Sequence, residues 1–369
     1  MKDESVVQAS PGPCSGKAWR NGARLSLSAE QYVDGIVRGD RSLLSRAITL
    51  VESSRAVDME LAHAIVEGCL PHSGRALRIG ITGVPGAGKS TLIEALGQFC
   101  IGEYGESVAV LAIDPTSQVT GGSILGDRTR MVSLAACEKA FIRPSPSRGS
   151  FGGVARHTRE AMLLCEAAGF QNILIETVGV GQSETAVHGM VDFFLLVMLS
   201  GAGDELQGMK RGVMELADLI AVNKADGENI ASAERACADA ETALHFFAAA
   251  DPGWTACAVA CSALTGRGVS ELWGKVREYA GVARANGWLE GKRREQRRRW
   301  LKESLEHGLA ELFRAHPVVA QQLAAYERDV LDGLATPFRA ARALLDLYVG
   351  AGGGMTGGKA EAGPRLRQG

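Results

Sequence analysis

Gly83-Val84-Pro85-Gly86-Ala87-Gly88-Lys89-Ser90 is a complete G-x-x-x-x-G-K-S run. ALRIGIT at 76–82 precedes it and reads as a buried strand; TLIEALGQF at 91–99 follows and reads as the opening of a helix. Strand, glycine turn and helix in that order are the context in which this pattern binds phosphate. Successive N–H groups of such a turn point inward as an anion-binding nest, and the helix N-terminus adds its positive end. Gly83, Pro85, Gly86, Ala87 and Gly88 form the cradle. Lys89 is placed to reach the β- and γ-phosphates, and Ser90 to ligate Mg²⁺.

Outward from this loop, residues 76 to about 281 alternate strand and helix, which implies a mostly parallel sheet covered on both faces. Candidate strands are 77–82, 107–113, 173–176, 193–199, 219–222 and 256–260; several are continuously apolar, as buried parallel strands should be. Helices are expected near 89–99, 153–168, 230–249 and 269–279. Upstream, Ser28 with Gln31 has capping-box spacing and opens a helical stretch through Tyr32, Ile36, Leu43, Leu44 and Ile48. A second helix is expected at 57–70, with 71–75 as a linker. Downstream, Lys292, Arg293, Arg294, Arg297, Arg298 and Arg299 crowd one helical stretch, followed by Trp300, Leu305, Leu309, Leu312 and Phe313. Two shorter helices are expected at 318–331 and 337–348. The fold expectation is therefore an α/β nucleotide-binding domain at 76–282, a helical region at 25–75 before it and another at 283–350 after it. Residues 1–24 and 351–369 have the composition of disordered tails.

Net charge of −2 over 369 residues implies no general field for polyanions. The basic run has two readings, a nucleic-acid contact or a solvated helix face that helps dimer packing. Its acidic neighbours Glu290 and Glu295 favour the second, so no nucleic-acid partner is expected. No apolar run reaches the length of a membrane span, and the first twenty residues lack the apolar centre of a secretory signal. The eight cysteines form no C-x-x-C pair and mostly sit in apolar patterns, as reduced thiols of a cytoplasmic protein would. Cys257 and Cys261 alone make a weak metal signal. His157, on an expected helix, receives no chemical role.

Asn223-Lys224-Ala225-Asp226 directly follows an apolar strand and has the N-K-x-D form that selects guanine. Its Asp carboxylate accepts from guanine N1 and N2 hydrogens, which adenine does not present. Cys261-Ser262-Ala263-Leu264, after the next strand, matches the segment whose backbone N–H groups support guanine O6. Asp114 ends the second expected strand and Glu176 the third, on the edge that carries the phosphate loop. There they are placed to hold Mg²⁺, and the Gly179 N–H to sense the γ-phosphate. Strand-end caps or surface ion pairs are the alternative for both carboxylates.

With these elements in order, the chain resembles the GTPases associated with methylmalonyl-CoA mutase and its relatives, the MeaB/ArgK type. The resemblance rests on GVPGAGKST at 83–91, AIDPTS at 112–117, GGSILGDRTRM at 121–131, RGSFGGVARHT at 148–158, ETVGVGQSE at 176–184, SGAGDELQGMKRG at 200–212 and NKAD at 223–226. It spans roughly 28–349. It implies a metallochaperone-type G domain that binds GTP and GDP with Mg²⁺. It implies a client, an adenosylcobalamin-dependent acyl-CoA mutase that hydrolysis helps to load, gate or protect, and extends to an adenosyltransferase as a further partner. Homodimers through the C-terminal helices are also implied. By position, Thr91 joins the phosphate set, Asp114, Asp127 and Glu176 face the metal or the switches, and 200–212 resembles a third switch that responds to the client.

Ras-like domains place a water-positioning Gln just after the acidic-x-x-Gly element, but here Val180 follows Gly179. Slow intrinsic turnover is expected. Gln182, Gln207 and Lys210 are candidates to complete catalysis with Lys89 when a partner orders the loops, with Lys210 as an internal cation. Two other classes compete. A nickel-type metallochaperone GTPase predicts His-rich or C-x-x-C segments, which this chain lacks. A transport-associated GTPase or kinase predicts a membrane-facing appendage or a phospho-acceptor domain, and nine scattered Met residues do not supply the former.

Overall fold

The computed structural model describes residues 27–53, 55–114, 131–146, 151–177, 183–200, 211–246 and 253–352. Asp127, Gly179, Gln182, Gln207, Lys210, the expected tail at 1–24 and residues 353–369 of the other lie outside the described residues, as does the side chain of Asp114; residues 351–352 of the second expected tail continue the last helix instead.

Three helices open the described chain: α1 (Ala29–Val37), α2 (Arg41–Val51) and α3 (Ala56–Cys69). The capping box at Ser28 forms, with Gln31 Oε1 accepting from Ser28 N at 2.9 Å and Ser28 Oγ accepting from Gln31 N at 3.3 Å. The single capped stretch expected there is two helices, because Asp40 starts a new one. Its Oδ1 accepts from the N–H groups of Ser42 at 2.9 Å and Leu43 at 3.0 Å.

The sheet follows, with β1 (Leu77–Gly83), α4 (Lys89–Tyr104), β2 (Val108–Asp114), β3 (Ala140–Pro146), α5 (Phe151–Ala167), β4 (Asn172–Thr177), α6 (Ser183–His188), β5 (Phe193–Leu199), β6 (Leu219–Asn223), α7 (Ile230–Leu244), β7 (Cys257–Ala260) and α8 (Val269–Ala285). All paired strands are parallel, in the order β3-β2-β4-β1-β5-β6-β7. β3 is absent from the sequence expectation. Pro144 and Pro146 disguise it; as an edge strand it tolerates residues that cannot donate to a ladder.

Strand side chains alternate between two cores. Val108, Val110, Leu174, Leu195 and Val197 face a core shared with Leu92 and Ile93 of α4 and with Trp273 and Tyr279 of α8. Ala109, Leu111, Ile173, Ile175 and Phe194 face the other, closed by Ile36, Leu44, Ile48 and Ile65 of the N-terminal helices and by Met162 of α5. The N-terminal helices thus complete one face of the sheet. This double cover explains why β1 and β4 are buried at every position.

Three helices end the described chain: α9 (Trp288–Ala315), α10 (Pro317–Leu331) and α11 (Pro337–Gly352). The first half of α9 is fixed to the amino edge of the sheet, which corrects the expectation of a solvated basic face there. Arg293 is 6% exposed. It forks onto Asp192, just before β5, with Nε to Oδ1 at 2.8 Å and Nη2 to Oδ2 at 2.6 Å. Lys292 Nζ donates to the Asp192 carbonyl at 2.8 Å, and Gln296 Nε2 to the Val191 carbonyl at 2.7 Å. Arg294, Arg297, Arg298 and Arg299 are exposed, as expected of a solvated face. Beyond Trp300, α9 exposes Leu301, Leu305, Leu309 and Leu312.

Candidate functional site

Because every strand runs the same way, the carboxyl ends of β1, β2, β4, β5 and β6 share one edge, where ligands of open α/β sheets bind. The described residues expected at the phosphate and at the base are brought to it, whereas Gly179 lies outside the described residues.

Two glycines are required by the tightness of the phosphate loop. A Cβ on Gly83 would stand 2.1 Å from the Val197 carbonyl oxygen of β5. Gly88 has φ +84°, and a Cβ there would stand 2.7 Å from Asn223 Nδ2. Lys89, at the start of α4, is 9% exposed. Its Nζ donates to the carbonyls of Gly83 at 2.8 Å and Val84 at 3.1 Å. Burial pushes its pKa down, and the carboxylates of Glu176 and Glu184 oppose that shift. Ser90 Oγ donates to Glu176 Oε1 at 2.8 Å, joining the head of α4 to the end of β4. Beside it, Thr177 Oγ1 donates to Thr82 Oγ1 at 2.8 Å, fastening β4 to β1.

The expected base end is built from the turns after β6 and β7. Asn223 is 2% exposed and serves both ends of the site. Its Nδ2 donates to the Ala87 carbonyl at 2.8 Å, and its Oδ1 accepts from Ala263 N at 3.0 Å. Here the Ala263 N–H therefore serves Asn223. Asp226 accepts a short hydrogen bond from Ser262 Oγ. Lys224 has φ 63°, a left-handed conformation for a residue with a side chain. Leu264 is 82% exposed.

Three contributors escaped the sequence reading. Glu184 is 6% exposed, and its Oε2 has no hydrogen-bond partner among the described residues. It lies inside the ETVGVGQSE motif, which was the available signal. Arg267 donates from Nη1 to the Ala225 carbonyl at 3.3 Å and from Nη2 to Glu234 at 2.8 Å, tying the two base turns together. Asn229 donates to the Lys224 carbonyl at 2.7 Å. No sequence pattern marks either. Among the described residues, no three His, Cys, Asp or Glu side chains gather as a metal cluster, and the described cysteines are free thiols.

Residues 44–318 match the profile of the family described as methylmalonyl-CoA mutase-associated GTPase MeaB. The chain belongs to the MeaB family. It is 48% identical over 269 residues to the GTPase ArgK of Escherichia coli, covering 73% of this chain and 81% of that one. It is 43% identical over 338 residues to the mitochondrial methylmalonic aciduria type A homolog of Mus musculus, covering 88% and 81%. A crystal structure described as a LAO/AO transport system kinase superposes with a TM-score of 0.69 at 36% identity, over 87% of this chain and 97% of that one. This MeaB-family protein is a GTPase with a P-loop α/β fold, and it binds guanine nucleotide. No described helix is long and apolar enough to cross a membrane.

Proposed function

We propose that this GTPase serves an adenosylcobalamin-dependent acyl-CoA mutase, methylmalonyl-CoA mutase or a close relative, coupling GTP hydrolysis to its loading, gating or protection. The observation that carries the client is the match of residues 44–318 to a mutase-associated family. The mouse relative's description points the same way.

In this reading Lys89 exchanges its bonds to the Gly83 and Val84 carbonyls for bonds to the β- and γ-phosphates. The exchange is favourable because a phosphate oxygen is a far stronger acceptor for an ammonium than a carbonyl. Gly83, Pro85, Gly86, Ala87, Gly88 and Thr91 cradle the phosphates. Asn223, Lys224 and Asp226 grip the guanine, with Ser262, Ala263 and Leu264 behind it.

The Ser90 hydroxyl and the Glu176 carboxylate, in contact at 2.8 Å, are the oxygen donors that Mg²⁺ prefers. Together with Asp114 and Asp127 they would hold that ion, which supplies charge neutralisation at the phosphates. Gly179 would sense the γ-phosphate. Gln182, Gln207 and Lys210 act with Lys89 in hydrolysis once the client orders their loops, so turnover alone is slow.

The exposed leucines of α9 recur at 301, 305, 309 and 312, a single helical stripe. Such a stripe suits a second copy of the chain, and supports a homodimer built on residues 283–350 beside a nucleotide domain at 76–282 and a helical region at 25–75. A cytoplasmic protein with an adenosyltransferase as a second partner completes the reading. The test is complex formation. Size-exclusion chromatography with a purified adenosylcobalamin mutase should show a complex whose stability changes between GDP and a non-hydrolysable GTP analogue. No complex in either state would refute the client. Transfer of phosphate to a protein side chain rather than to water would instead favour the transport-kinase reading attached to the related crystal structure.

A further inference from the structure

The amide of Asn229 makes two side-chain bonds in opposite directions. Nδ2 donates to the Lys224 carbonyl at 2.7 Å, and Oδ1 accepts from Ser200 Oγ at 2.7 Å. A carbonyl can only accept, so the first bond fixes the amide's orientation and makes Ser200 the donor in the second. The Asn229 backbone N–H also donates to the Asp226 carbonyl at 3.0 Å. Asn229 therefore holds both the lysine and the aspartate of the N-K-x-D turn. Lys224 has need of it. Among the described residues it is the one non-glycine with a positive φ, 63°, a conformation kept only where the surroundings impose it.

The other end of this strut is elsewhere in the fold. Ser200 directly follows β5, and Leu199 lies opposite Asn223 in the β5–β6 register. The chain leaving β5 is thus bonded, through one side chain, to the backbone of the base-binding turn.

We propose that Asn229 is a positioning residue that transmits the position of Ser200 to the guanine clamp, so that breaking the Ser200 bond speeds nucleotide release from the base side. The proposal rests on the reading of Asn223, Lys224 and Asp226 as that clamp. It deepens that reading by naming a route through which the end of β5 controls nucleotide exchange.

Release of a fluorescent N-methylanthraniloyl GDP from the full chain tests it. Ser200→Ala should release about threefold faster and Asn229→Ala about tenfold faster, the range expected for one and two lost hydrogen bonds. The double variant should be no faster than Asn229→Ala, because Ser200 acts only through Asn229. Asn229→Asp keeps an acceptor for Ser200 but loses the donor to Lys224, and should behave as Asn229→Ala does. A wild-type rate in Ser200→Ala or Asn229→Asp would overturn the proposal, as would multiplying effects in the double variant. A lowered melting temperature of the nucleotide-free variants with unchanged release would show a merely structural role. Failure of the wild-type protein to bind GDP would overturn the clamp reading itself, a separate result.

Discussion

The two edges of the sheet are held together differently. At the amino edge, charges are buried and multiply bonded. Asp192 takes the fork of Arg293 and the Arg78 N–H at 2.9 Å, while Arg78 forks onto Glu166 at 2.8 and 2.9 Å. At the carboxyl edge, Lys89 rests on two carbonyls and Ser90 on one carboxylate oxygen, bonds that a phosphate and a cation can replace. One edge fixes α9 to the fold; the other keeps its polar groups exchangeable. The lesson is that a charge held from several sides is structure, whereas one held by replaceable acceptors is a site in waiting.

Arg293→Ala should break this contrast most visibly. It strips a buried carboxylate of its fork and should cost about 3–5 kcal/mol of stability, read by urea unfolding; a loss under about 1 kcal/mol would mean the amino edge is not load-sharing as described. Lys89→Ala should do the reverse. Guanine-nucleotide affinity should fall about a hundredfold, as for a lost charge-assisted contact, while the melting temperature of the nucleotide-free protein stays level or rises. Asp226→Asn should weaken GDP about tenfold or more and favour a xanthine nucleotide, measured by competition; an unchanged guanine preference would remove Asp226 from the base clamp.

The smallest effect belongs to His188, at the amino edge. Burial, then Lys292 and Arg299, push its pKa from 6.5 down to about 4. Between those values the unfolded chain binds a proton that the folded chain refuses. Its contribution to stability is therefore complete above pH 6.5 and declines as pH falls towards 4. Unfolding of His188→Gln at pH 7.5 and 5 should show a shallower pH dependence than the wild type; equal slopes would contradict the shift.

Much of the carboxyl edge was legible because its chemistry is local. GVPGAGKS and NKAD each hold their whole pattern within a few consecutive residues, and the strand before NKAD is continuously apolar while the one before GVPGAGKS is interrupted only by Arg78 and Thr82. The amino edge was not, because Arg78 with Glu166 and Asp192 with Arg293 are partners only after folding. A run of basic residues does not reveal that one of them will be buried. β3 was hidden for a third reason: its prolines oppose strand propensity, and only its place at the edge makes them tolerable. Asn229 and Arg267 escaped because their roles are set by which carbonyls they meet.

The most direct measurement is steady-state GTP turnover with Mg²⁺, alone and with a purified adenosylcobalamin-dependent acyl-CoA mutase from the same source. Slow hydrolysis alone and a large rise with the mutase is the predicted result. Unchanged turnover in the presence of the mutase, with GTP binding intact, would contradict a client-activated GTPase.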